Sequence, residues 1–244
     1  MEQIKLADYK QVSEFYDKYW VEAGEKKLDS INSRHRFILK NLKKVGLRKN
    51  SKVMEIGCGS GILTTYIAKY IPRGKILAVD ISSKTIELAR EKYKKYVNIE
   101  WIASDMRNFI YKDKFDIVVF PDVLEHIPIE AHNNIFQTIR QIVHENSIIL
   151  INIPHPIALE YHHKYTPHLL QIIDQPLHTD KFIKAIYDNG FYLESLESYS
   201  VFHDLNDYQN IIVRPKMELK KMIPRGRIEL LIRSLKLRFK SLFY

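Results

Sequence analysis

Between residues 50 and 155, short apolar runs alternate with amphipathic stretches. The runs fall at Lys52–Ile56, Lys75–Val79, Ile99–Ile102, Phe115–Phe120 and Ser147–Ile153, and helix-period stretches occupy Ile62–Ile71, Ser83–Tyr96 and Ile129–Val143. Runs of that length read as strands buried on both faces of a parallel sheet, with right-handed crossover helices covering them. Upstream, Phe15, Tyr16, Tyr19 and Trp20, then Ile31, Phe37, Ile38 and Leu42, recur at helical spacing, so residues 10–45 read as a helical cover. Downstream, residues 154–178 include Pro154, Pro156 and Pro167 and show no period; they read as an insertion beside the site. A helix over Thr179–Asn189, ended by Gly190, precedes two closing strands, Phe191–Phe202 and Tyr208–Val213, around the polar turn Asp204–Asp207. The expected fold is α/β: a mostly parallel seven-stranded sheet with helices on both faces.

Composition changes this picture at one end. The 244 residues suit one domain with additions, and 45% hydrophobic residues suffice for a core. The net charge of +9 is concentrated in residues 216–244, where nine Lys/Arg stand against two Asp/Glu. Residues 1–215 thus read as a nearly neutral domain and residues 216–244 as a basic tail. In that tail Ile228, Leu231, Ile232, Leu235, Phe239, Leu242 and Phe243 share a helical stripe, with Arg227, Arg233, Lys236, Arg238 and Lys240 on the remainder. The favoured reading is a helix docked on the domain or on a second copy, with an anionic membrane surface as the alternative. Nucleic acid is not the expected partner, because aromatic residues are not interleaved with the charges. One cysteine, Cys58, the lack of a signal-peptide pattern and the lack of a spanning apolar run point to a cytoplasmic protein, with the inner face of the membrane as the alternative site.

The chemistry concentrates at Val53-Met54-Glu55-Ile56-Gly57-Cys58-Gly59-Ser60-Gly61, a strand, a tight turn and a helix N-terminus. Glycines at 57, 59 and 61 permit positive φ and close approach of a ligand, and the helix end favours negative charge. A dinucleotide-binding turn reads G-x-G-x-x-G, whereas Ile62 stands where its last glycine would fall. With Glu55 two residues before the first glycine, the turn resembles motif I of class I S-adenosylmethionine-dependent methyltransferases, of the quinone-biosynthesis and surface-polysaccharide type. Three further segments keep that register: Asp80-Ile81 after the second run, Ala103-Ser104-Asp105-Met106 after the third, and Pro121-Asp122-Val123-Leu124-Glu125-His126-Ile127 after the fourth.

The resemblance implies S-adenosylmethionine as cofactor. It places Glu55, Gly57, Cys58, Gly59 and Gly61 in the methionine-binding turn and Asp80 with Ile81 at the ribose. Asp105 and Met106 fall at the adenine, and Pro121 at the backbone bordering the methionine moiety. Tyr16, within Tyr16-Asp17-Lys18-Tyr19-Trp20, would close over the cofactor. An alcohol acceptor needs a base, and histidine suits that task near neutral pH. His155, in Ile153-Pro154-His155-Pro156, is the first choice and His126 the second. No helical spacing supports a metal site among His162, His163, His168 and Asp174, so no metal is expected. Signatures of DNA-base, metal-dependent catechol and protein-arginine enzymes do not match. The expected reaction is O-methylation of a small molecule such as a sugar or glycan precursor. A quinone or lipid-linked acceptor, or a catalytically silent binding protein, are the alternatives.

Overall fold

The computed structural model describes residues 9–22, 31–218 and 223–241. Its elements are α1 (Tyr9–Glu22), α2 (Ser33–Val45), β1 (Lys52–Ile56), α3 (Ile62–Tyr70), β2 (Lys75–Asp80), α4 (Ser83–Lys92), β3 (Ile99–Ala103), β4 (Phe115–Pro121), α5 (His132–Gln141), β5 (Val143–Pro154), α6 (Pro156–Tyr165), α7 (Thr179–Asp188), β6 (Phe191–Tyr199), β7 (Tyr208–Pro215) and α8 (Arg227–Ser241). The seven strands form one sheet in the order β3-β2-β1-β4-β5-β7-β6. Pairings from β3 through β5 are parallel, and β7 runs antiparallel to both neighbours, so the sheet is mixed.

Strand alternation sorts the core into two layers. Met54 and Ile56 join Phe120, Phe136 and Phe182 beneath α5 and α7. Val53 points the other way, toward Ile38, Leu42 and Ile67 of α2 and α3. Burying each such side chain contributes roughly 1.5–3 kcal/mol. Register then decides where the site forms. Ile56 pairs with Val79, Asp80 with Ala103, and Pro121 with Asn152, so the carboxyl ends of these strands share one edge of the sheet.

Three expectations need correction. Residues 154–178 are not a loop throughout: α6 starts at Pro156, with His155 as its N-cap, and a 3-10 turn follows at Pro167–Leu169. Only Pro156 and Leu159 of α6 are buried, so there was no apolar period to read. Second, β5 begins at Val143, within the stretch expected to be helix, because the polar residues His144–Asn146 interrupt its apolar run. Third, the described apolar side chains of α8 are not covered by the domain, which leaves the expected docking on a second copy untested. Ile228, Leu231, Ile232 and Leu235 are exposed, Ile228 to 76%. Residues 23–30 of the expected helical cover lie outside the described residues, as do the side chains of Tyr19, Trp20, Arg238, Phe239, Lys240, Leu242 and Phe243. Among the described residues no helix is long and apolar enough to cross a membrane.

Candidate active site

The turn after β1 is held by β2. Gly57 and Cys58 both donate backbone N–H groups to the Val79 carbonyl, at 2.8 and 3.0 Å. Gly57, Gly59 and Gly61 adopt φ of 75°, 49° and 78°. A Cβ at Gly57 would lie 2.1 Å from Val123 Cγ2, and one at Gly61 would lie 2.5 Å from Trp101 Cη2. Glycine is therefore required at both positions by conformation and by contact. No side chain caps α3, whose N-cap is Gly61, so the first turn of this helix faces the site with its partial positive charge.

Two buried acids flank this turn. Glu55 is 1% exposed and accepts the Thr64 hydroxyl at 2.6 Å. Burial pushes its carboxyl up to about 8, against the pull of Thr64 and with a smaller upward push from Asp80. Asp80 accepts the Gly59 N–H at 2.8 Å and the Ser82 N–H at 3.0 Å. Its pKa is raised by burial, a shift that these N–H groups oppose. A carboxylate offers about four lone-pair sites, so both acids retain capacity toward a ligand. Burial, followed by Asp80 and Glu55, also raises the Cys58 thiol well above its ordinary value, which leaves it unreactive.

Around these groups lies a cavity of about 360 Å³. All of the residues expected to hold the cofactor line it: Tyr16, Glu55, Gly57, Cys58, Gly59, Asp80, Ile81, Asp105, Met106 and Pro121, with Gly61 capping the adjoining helix. α1 lies across it: Ser13 donates to the Ile81 carbonyl at 3.4 Å, Ser82 donates to Asp17 at 2.5 Å, and the Tyr16 ring meets His126 edge-on. At the far end Asp105 receives the Arg107 N–H at 2.9 Å and its guanidinium at 2.7 Å, while the Met106 N–H donates to the Ser104 hydroxyl at 3.1 Å. Met106 and Asp122, both lining the cavity, hold φ of 64° and 56°. Such positions cost about 1–3 kcal/mol each and cluster where ligands bind.

A second cavity of about 240 Å³ adjoins the first. Arg34, Asp122, His126 and Gln171 line both and so form the joint between them. Sequence reading passed over Arg34 and Gln171, because nothing local marks them; α2 and the segment after α6 carry them to this place. Arg34 pairs with Asp122 and reaches the Tyr208 hydroxyl at 3.1 Å. Burial opposes its charge, but Asp122 and Tyr208 hold the guanidinium above its ordinary range. Asp122 also accepts Asn152 at 3.1 Å.

The two candidate bases fall differently. His155 lines neither cavity; its Nδ1 accepts the Ile157 N–H at 3.3 Å. His126 stands at the joint, with Nδ1 2.6 Å from the Ile173 carbonyl and 3.0 Å from Asp174. Burial lowers its pKa, but Glu125, Asp174 and the Ile173 carbonyl outweigh that and raise it to about 9. Its Nε2 lies 3.3 Å from the Gln171 amide nitrogen, so contacts at both ring nitrogens fix the imidazole at the joint. Among the described residues no group of three or more His, Cys, Asp or Glu is placed to hold a metal ion.

Known proteins agree with this geometry. The family model described as a methyltransferase domain matches residues 53–146. The chain is 36% identical over 73 residues to malonyl-acyl-carrier-protein O-methyltransferase 1 of Ilyobacter polytropus, covering 30% of this chain and 27% of that protein. It is 32% identical over 107 residues to ribosomal protein L11 methyltransferase of Thermotoga neapolitana, covering 43% and 38%. These matches span well under half the length of either relative. Magnesium protoporphyrin IX methyltransferase from Synechocystis, solved with bound S-adenosylhomocysteine, superposes with a TM-score of 0.67 at 17% identity, over 86% of this chain and 100% of that one. An S-adenosylmethionine-dependent methyltransferase from Clostridium acetobutylicum gives 0.62 at 13% identity, over 86% and 99%. The fold is that of class I S-adenosylmethionine-dependent methyltransferases. Residues 53–146, the segment that the methyltransferase-domain model matches, run from β1 into β5.

Proposed function

We propose that this chain transfers a methyl group from S-adenosylmethionine to an oxygen of a small hydroxylated molecule, such as a sugar or glycan precursor. The observation that carries the cofactor is the pair of buried acids, Glu55 and Asp80, beside an uncapped helix end and a glycine turn with no room for a Cβ. The cofactor is zwitterionic at its methionine end and carries a sulfonium. Its ammonium would find Glu55, its carboxylate the α3 N-terminus, and its ribose hydroxyls Asp80. The bound molecule supplies an already electrophilic methyl group. The residues at the joint, Arg34, Asp122, His126 and Gln171, then align the acceptor and exclude water, an effect that contributes several kcal/mol in well-oriented sites, up to ~7–11. The place of His126 at the joint makes it a positioning residue, and the location of His155 makes it a helix cap.

Calorimetric titration with S-adenosylhomocysteine is the direct check. Wild type binds, and Asp80→Ala loses most of the affinity; equal binding by both proteins would refute the cofactor reading. A second reading, an acceptor held at a membrane surface, is favoured by the exposed apolar stripe of α8 beside Arg227, Arg233 and Lys236. Co-sedimentation with anionic liposomes separates the full chain from one ending at Pro215, and equal recovery of the two sinks that reading.

A further inference from the structure

The second cavity contains an imbalance that the cofactor does not resolve. Glu125 is 1% exposed and lines this cavity but not the first. Both of its carboxyl oxygens are buried with no hydrogen-bond partner. The nearest cation, His126 Nε2, is 3.8 Å away, and that imidazole is already matched by Asp174 at 3.0 Å. Arg34 Nε, on the same wall, is likewise buried without an acceptor, although its Nη1 is engaged by Asp122. Leaving such groups unsatisfied costs about 1–3 kcal/mol each. The space beside them far exceeds the ~10–15 Å³ that one water requires.

We propose that the second cavity receives an uncharged, polyhydroxylated ring, with one hydroxyl on Glu125 and its neighbour accepting from Arg34 Nε. Apart from Glu125, the charged groups of the cavity already have partners within the chain. Arg34 is matched by Asp122 and His126 by Asp174, while Asp207 accepts the Val201 and Phe202 N–H groups. An added ammonium would meet Arg34 and His126, and an added carboxylate would meet Glu125, Asp122 and Asp174. A diol offers one donor and one acceptor and disturbs neither pair. Glu125 is here a specificity-determining residue. Burial raises its carboxyl above the ordinary range, so the group can present a proton as well as accept one.

The designation of this ring as methyl acceptor rests on the cofactor reading above; its binding does not. The test uses the full chain with carboxyl-¹³C glutamate, saturated with S-adenosylhomocysteine, and follows the resonance that disappears in Glu125→Gln. Three probes of one shape are compared: cis-cyclohexane-1,2-diol, cyclohexylamine and cyclohexanecarboxylate. The diol is expected to move the Glu125 resonance at lower concentration than the other two. Glu125→Leu is expected to weaken diol binding roughly tenfold or more, leaving S-adenosylhomocysteine affinity within about twofold, and Glu125→Gln to recover part of the loss. Preference for the amine or the carboxylate overturns the proposal. So does unchanged diol binding in Glu125→Leu, or a diol that moves nothing while S-adenosylhomocysteine binds tightly. If S-adenosylhomocysteine itself fails to bind wild type, the cofactor reading falls and the acceptor role with it, while the diol titration still reports on the cavity.

Discussion

The two cavities share four residues and differ in how their polar groups are satisfied. In the first, each acid is answered from nearby in sequence or from the adjoining turn: Glu55 by Thr64, Asp80 by Gly59 and Ser82, Asp105 by Arg107. In the second, Glu125 and Arg34 Nε have no answer at all. The acids of the first cavity are therefore oriented by the chain itself, although His35 Nδ1 on the same wall is buried without a partner. The second is completed by what enters it. A pre-oriented site can hold one molecule tightly, whereas an unsatisfied one selects by making every wrong occupant leave a buried group unpaired.

The largest effect that would sharpen this contrast lies in the turn. Gly57→Ala should destabilise the protein by about 2–5 kcal/mol, the sum of left-handed strain and overlap with Val123. Adding Val123→Ala should recover the overlap part only, and urea melts of the four proteins measure the coupling. Additive effects would mean that the turn is not pressed against the segment after β4. Next, Asp80→Ala should weaken S-adenosylhomocysteine binding roughly 10–100-fold by loss of charge-assisted hydrogen bonds, with little change in diol binding. Parallel losses of both ligands would erase the distinction between the cavities.

A pH series gives a third handle. Glu55 is raised to about 8 in the folded chain, so it keeps its proton where the unfolded chain has lost one. Native protein then binds more protons than unfolded protein between about pH 4.5 and 8, and stability falls as pH rises through that window and levels off above it. Glu55→Gln should flatten that fall, as read from urea midpoints at about pH 5, 7 and 9. An unchanged slope would mean that Glu55 is ionised in the fold. The smallest effect belongs to His155→Ala, which should cost about 0.5–2 kcal/mol through the lost α6 cap and leave the pH–rate profile unchanged. Loss of the acid-side limb, where rate rises as a base gives up its proton, would return His155 to the chemistry.

What could be read from the sequence follows the same division. The strand-ends and the four segments after them are short-range signals: β1 through β4 were located to within a residue or so, and the residues that those segments single out border the first cavity or cap the adjoining helix. The second cavity is assembled from α2, the segment after β4, the end of β5, α6, residues 169–174, the turn before β7 and the start of β7. No local pattern marks Arg34 as the partner of Asp122, 88 positions away, since only the packing of α2 brings them together. Nor could the pattern show that His155 would be spent on a helix N-terminus, because α6 buries too few of its residues to announce itself.

The contact between Gly57 and Val123 also bears on how such a chain can diverge. Several segments supply the second cavity, and α6 and the turn before β7 among them can be redrawn residue by residue without touching Asp80 or the glycine turn. Position 57 has no such latitude, since any side chain there is driven into Val123. A lineage descending from this chain is free to redraw the second cavity, but the contact of the glycine turn with the segment after β4 is inherited intact.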